Sequence, residues 1–138
     1  MRAYIDSSVL LRMVLGEPGR LREWGEIEHH VASALAEVEC LRTLDRIRLR
    51  GAIGAEAVAQ ARATVFELLS AMEIVEISAP VLARAGSPFP TNLGTLDAIH
   101  LATALAYRDI RGEALRFATH DAELATAARS VGFEVVGA

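Results

Sequence analysis

Ala3-Tyr-Ile-Asp-Ser-Ser-Val-Leu-Leu-Arg-Met-Val-Leu15 is the stretch from which the fold can be read. Ala3 to Ile5 is apolar but too short for a helix, and it breaks at Asp6-Ser7-Ser8 into a second apolar run, Val9 to Leu15, that Gly16 and Pro18 stop. A short buried strand, a polar turn and an apolar helix account for this pattern. A carboxylate therefore stands where a strand gives way to a helix.

The same alternation continues outward. A second helical stretch is expected at Leu21 to Ile27 and a short strand at His30 to Ala34. Leu35, Val38, Leu41, Leu44 and Ile47 then recur at helical spacing up to Leu49, before Gly51 and Gly54. Glu56 to Met72 is alanine-rich and helical, Ile74 to Ile77 is β-branched, and Pro80 suits the first turn of another helix. Gly86 to Asn92, with Pro88 and Pro90, must be a loop. A long Ala/Leu helix runs from Leu96 to Tyr107, beginning near Thr95, and Leu115 to Thr119, Ala122 to Arg129 and Phe133 to Val136 add a strand, a helix and a strand. Short apolar strands alternating with helices imply right-handed crossovers and a mostly parallel sheet covered on both faces, an α/β protein in three layers.

With 138 residues, no internal repeat and no linker, the chain is expected to form a single domain spanning 1–138. A hydrophobic share of 52% with 23% charged residues is the composition of a compact, ordered protein. The net charge of −4 argues against a blanket basic surface, so any nucleic-acid contact is local. All 14 basic residues are Arg, which excludes every mechanism that needs a catalytic or phosphate-gripping Lys. Cys40 is the lone cysteine, ruling out an internal disulfide and a Cys-rich zinc site. Asp6 interrupts the N-terminus before a signal-like apolar region develops, and no run reaches the ~18 apolar residues of a membrane span. A cytoplasmic protein without membrane attachment is the expectation.

In an open parallel sheet, ligands gather beyond the carboxyl ends of the strands, so acids at strand-to-helix junctions take priority. Asp6 follows the first strand and Asp121 the fourth, while Glu39 and Asp97 lie in early turns of helices. Each alone is explained by the helix dipole, which favours a carboxylate there by a few tenths to ~1 kcal/mol. Four on one rim repel one another, and the arrangement is tolerable only if a cation neutralises them or some become protonated. Oxygen-only ligands favour Mg²⁺ or Mn²⁺ over zinc, and hydrolysis of a phosphodiester is the chemistry such a site performs.

Tyr4-Ile-Asp-Ser-Ser-Val-Leu-Leu11, Ser33-Ala-Leu-Ala-Glu-Val-Glu-Cys-Leu-Arg42, Thr95-Leu-Asp-Ala-Ile-His-Leu-Ala-Thr-Ala-Leu105 and Thr119-His-Asp-Ala-Glu-Leu124, followed by Gly132-Phe-Glu-Val-Val136, occur in that order. With them the chain resembles PIN-domain ribonucleases, in particular the VapC-like toxins of type II toxin–antitoxin modules, over nearly its whole length. The resemblance implies a parallel sheet in the order 3-2-1-4-5 and a catalytic divalent-metal site made by Asp6, Glu39, Asp97 and Asp121. It further implies Mg²⁺ or Mn²⁺ as cofactor, an RNA substrate, a cognate antitoxin and a homodimer. Glu37 shares the second motif, but it lies about 200° from Glu39 on a helix, so only one of the two faces the site; the family's acid falls on Glu39. Asp121 is the fourth ligand, acting through water, and Ser7 and Thr119 orient water or phosphate. Gly94 departs from the family's frequent Arg, which removes a phosphate contact.

Other features keep two readings. Arg42, Arg46 and Arg50 form a stripe suited to RNA phosphates, and equally a solvated face paired with Asp45 or a contact for an acidic partner. His100, one turn after Asp97, reads as a buried structural histidine rather than a general base. His120 reads as exposed beside Asp121, and His29 and His30 have no ligand spacing. Trp24, with Leu21 and Ile27, belongs either to the core or to a partner groove, and Cys40 is a small buried side chain. A haloacid-dehalogenase-like phosphatase is excluded because position 8 is Ser rather than Asp and Lys is absent. The competing function is a catalytically inactive PIN-like module that binds RNA or protein; four retained, mutually repelling acids speak against it.

Overall fold

A computed structural model describes residues 1–138. Its strands are β1 (Arg2–Ile5), β2 (His29–Ser33), β3 (Glu73–Val75), β4 (Arg116–Ala118) and β5 (Val135–Val136). They form one sheet in the order β3-β2-β1-β4-β5, with every neighbouring pair parallel. The chain thus winds outward from β1 through β2 to β3, then returns past β1 to lay down β4 and β5. Strand order reverses between β1 and β4, where Tyr4 pairs with Phe117 and Ile5 with Ala118. The crevice beyond that junction is where ligands of open α/β sheets bind.

The helices are α1 (Ser7–Val14), α2 (Leu35–Leu49), α3 (Ala55–Ser70), α4 (Ala79–Ala85), α5 (Thr95–Arg111) and α6 (Ala122–Ser130). Strand alternation divides them between the two faces. Ala3, Ile5, Ala32 and Ala118 point to one side, where they meet Val9 and Leu10 of α1, Cys40 and Leu44 of α2, and Val65 and Leu69 of α3. Tyr4, Val31 and Phe117 point to the other and pack on Leu101 and Leu105 of α5 and Leu124 of α6. Each large side chain so buried contributes about 1.5–3 kcal/mol. The small residues Ala3, Ala32 and Ala118 leave room for helices to lie close on the first face.

Local chemistry explains the element ends. The Asp6 carboxylate accepts from the Ser8 backbone N–H, so the expected turn shrinks to a single capping residue and α1 begins at Ser7. Ser78 caps α4 ahead of Pro80, and Asp121 caps α6 by accepting from Leu124 N–H at 2.9 Å. α5 starts at Thr95 after Gly94, without a side-chain cap, and runs past Tyr107 to Arg111. Gly112 stops it in the left-handed conformation, φ 64°. The Leu21–Ile27 segment departs from expectation: only a 3₁₀ turn, Arg22–Glu26, forms there. Leu21 and Ile27 are buried on either side of it, and this short span between two anchors, with Gly25 inside, closes by i→i+3 bonds instead of a full α-helix. No helix is long and apolar enough to cross a membrane.

Candidate active site at the carboxyl end of the sheet

Beyond the β1/β4 junction lies a cavity of about 450 Å³ lined by Asp6, Glu39, Asp97 and Asp121 together with Ser7, Ser8, Leu11, Val38 and Leu96. Four chain segments supply the acids: the end of β1, the second turn of α2, the first turn of α5 and the residue capping α6. Glu39 is partly buried in the cavity wall, whereas Glu37 is exposed and takes no part in it.

Each acid is held differently. Asp6 is 5% exposed, and its Oδ2 accepts from Ser8 Oγ at 2.7 Å and from Thr119 Oγ1 at 2.9 Å. Glu39 Oε1 accepts from Ser7 Oγ at 2.6 Å and from His100 Nε2. Asp121 is engaged by the α6 backbone. Asp97 receives no hydrogen bond from the protein and forms no ion pair. No three of the side chains close on one point at bonding distance, so this is a shared wall of oxygen donors rather than a finished cage.

The sequence pattern of PIN domains matches residues 3–130. The chain belongs to the PIN-domain family. Over 94% of its length it is 34% identical to Ribonuclease VapC47 of Mycobacterium tuberculosis, and the match covers 92% of that relative. Two solved structures share the fold. One is the VapBC2 structure from Rickettsia felis, bound to a DNA fragment from their promoter: TM-score 0.69, 13% identity, 99% of each chain covered. The other is a toxin–antitoxin complex from Klebsiella pneumoniae: TM-score 0.68, 18% identity, covering 97% of this chain and 95% of that one.

The electrostatics of this PIN domain centre on Asp97 and His100. Burial, then the charges of Asp121 and Asp6, push the Asp97 carboxyl up to about 6, with His100 opposing and Glu39 adding to the rise. Burial disfavours a charged His100, yet the hydrogen bond to Glu39 and the charges of Asp6, Glu39 and Asp97 outweigh it and raise its pKa. Burial likewise pushes Glu39 up, and the hydrogen bond and charge of His100, aided by Ser7, more than reverse this. Each partner thus favours the charged form of the other, with His100 Nε2 hydrogen-bonded to Glu39 and Nδ1 lying 2.6 Å from Tyr4 Oη. Tyr4 is fully buried, and burial and the Asp6 charge raise its pKa, so it stays a neutral phenol.

His100 is wholly buried, as expected of a structural histidine, but what it structures is the site itself. Reading residue by residue misses this role, along with those of Tyr4 and Ser8. Ser8 Oγ, besides donating to Asp6, accepts from the His120 backbone N–H at 3.0 Å and so ties the β1 and β4 ends together. The available signal was the i, i+3 spacing of Asp97 and His100 on one face of α5. Ser7 and Thr119 spend their hydroxyls on Glu39 and Asp6. His120 is partly buried, its Nδ1 bonded to the Gly137 carbonyl at 2.8 Å. Trp24 packs onto the core and against the His30 ring, centroids 4.3 Å apart. Cys40 is buried, and burial with the charges of Glu39 and Asp6 pushes its thiol up to about 12, which leaves it inert.

Proposed function

We propose that this chain is a divalent-metal-dependent endoribonuclease, with residues 1–138 acting as one PIN domain and Asp6, Glu39, Asp97 and Asp121 as its catalytic, metal-holding residues. One observation carries the reading. Asp97 is a partly buried carboxylate without a hydrogen-bond donor, raised to about 6 by its own burial and by the other acids. A protein retains such a group where a cation completes it. The donor set fits Mg²⁺ or Mn²⁺: oxygens only, on one wall, with several lone pairs still free.

Bound to these carboxylates, Mg²⁺ or Mn²⁺ would acidify water and neutralise charge at the scissile phosphate. The protein's own part is positioning. Ser8 and Thr119 keep Asp6 in one rotamer, and His100 with Ser7 does the same for Glu39. Tyr4 anchors His100 from the core, so the orientation of Glu39 is referred back to the central strand. Asp97 is left free to turn toward an ion.

The RNA substrate rests on the identity to a named ribonuclease. The toxin role and an antitoxin partner rest on that VapC identity and on the likeness to chains of toxin–antitoxin complexes. We place the action of the protein in the cytoplasm and the contact of a homodimer at the sheet edge beside β3, where Ile110 is 85% and Ile74 41% exposed. The deciding experiment is cleavage of structured RNA with Mg²⁺ or Mn²⁺ and with EDTA, comparing the parent with Asp6→Asn and Asp97→Asn. Cleavage that needs the metal and both aspartates supports the proposal. Cleavage undiminished in the Asn variants rules out this site, and binding without cleavage by the parent points to an inactive module.

A further inference from the structure

The cavity has a second end that the acids do not explain. Leu35, Val38, Glu39, Arg42, Thr43 and Arg46 all line it, and their spacing of three, four, seven, eight and eleven residues from Leu35 is one continuous face of α2. From Glu39 to Arg46 the helix rises about 10 Å, so the wall passes from carboxylate to guanidinium within a single cavity.

The arginines of α2 are not equivalent. Arg42 Nη1 donates to Asp45 at 3.1 Å, and Arg48 holds the same carboxylate at 2.8 Å. Arg46 and Arg50 are both exposed, but Arg50 lies outside the cavity. Arg46 lines the cavity and has no carboxylate partner; its one side-chain bond is to Thr43 Oγ1, at 3.1 Å. That bond uses one of five guanidinium N–H donors and orients the rest. Because Thr43 accepts it, the threonine hydroxyl proton is free to donate. A cation without a carboxylate partner beside a free hydroxyl, with Val38 and Leu96 each about half exposed on the adjoining wall (50% and 49%), suits an anion attached to an apolar ring.

We infer that Arg46 with Thr43 forms a phosphate subsite that grips single-stranded RNA at a phosphate neighbouring the one cut, while Val38 and Leu96 face its base or ribose. This rests on the ribonuclease reading above and extends it to a substrate contact. A cavity of this size admits a nucleotide from a loop or single strand and not the side of a duplex. Of the three-arginine stripe, Arg46 alone serves this subsite, and Arg50 lies outside it.

The test measures binding of a fluorescein-labelled single-stranded RNA oligonucleotide by anisotropy from 50 to 200 mM salt, in an Asp97→Asn background. Adding Arg46→Ala should weaken binding and flatten the plot of log affinity against log salt by about 0.7, the value of one single-strand phosphate neutralised by one cation. Over that fourfold salt range the change is about 2.6-fold. Arg46→Lys should restore most of the slope, and Arg50→Ala should leave it unchanged. In the cleaving parent, Arg46→Ala should raise KM and leave kcat nearly unaltered, as expected when the interaction removed is equally strong in ground and transition states. An unaltered slope and KM in Arg46→Ala, or an equal loss in Arg50→Ala, overturns the subsite. If Asp97→Asn itself cuts RNA, the catalytic reading fails instead, and the two failures are told apart.

Discussion

The two ends of the sheet treat a carboxylate in opposite ways. At the amino end, Arg2, His29 and Glu73 open β1, β2 and β3, and α5 brings Tyr107 and Arg111 down to meet them. Glu73 accepts from His29 Nε2 at 2.6 Å, from Tyr107 Oη at 2.8 Å and from Arg111 at 2.7 Å. Those donors, His29 first, outweigh the cost of burial and draw its pKa down to about 2. At the carboxyl end Asp97 has no donor and three acidic neighbours, and it rises to about 6. The amino end is electrostatically complete without help. The carboxyl end holds charge that the protein does not neutralise, which is the mark of a site built for something outside the chain.

The comparison breaks most visibly through activity. Asp97→Asn or Asp6→Asn should lower metal-dependent RNA cleavage by about 10²–10³-fold or more, the scale of losing one preorganised electrostatic interaction. Glu73→Gln should leave it unchanged; single-turnover cleavage assays decide both. Next in size is His100→Gln, which loosens Glu39 without touching substrate. Its Mn²⁺ affinity, read by titration calorimetry, should fall about 10–100-fold, as for groups that orient metal ligands.

Stability sharpens the contrast through its sign. Asp97 has a raised pKa, so the folded state prefers it protonated: its contribution to stability is fully present below about 3.8 and is lost as pH climbs through about 6. Asp97→Asn should remove that decline, so in metal-free buffer at pH 7 it melts above the parent, and the difference vanishes near pH 3. Glu73 has a depressed pKa, so its contribution is present above about 4.5 and lost as pH falls toward 2. Glu73→Gln should therefore melt below the parent at pH 7. The drop is the smallest effect, no more than about 4 °C, because partly exposed ion pairs contribute only about 0.2–1 kcal/mol. Melting curves of the two variants that shift in the same direction at pH 7 would abolish the distinction between the ends.

How legible all this was depends on the range of the interaction concerned. The apolar run at Ala3–Ile5 and the 3.6-residue pattern of Leu35–Leu49 gave their elements directly, because burial of one face is a local demand on sequence. The Leu21–Ile27 helix failed for the converse reason: its two apolar anchors satisfy the core without a helix between them. Asp6 and Asp121 were visible as acids at strand ends; helix rotation allowed only one of Glu37 and Glu39 to face the site, and it was the family resemblance that put Glu39 there. Tyr4 was readable only as a core residue, since its partner at position 100 lies far along the chain.

From its order of residues alone this chain determines an alternation of short buried strands and amphipathic helices, with carboxylates where strands end, because periodicity and capping act over a few neighbouring residues. Only the tertiary structure decides how those acids are partnered. It turns His100 toward Glu39, leaves Asp97 without a donor, spends Asp45 on Arg42 and Arg48, and leaves Arg46 unpaired. Those choices are made by how strands and helices pack against one another, and packing sets which side chains meet.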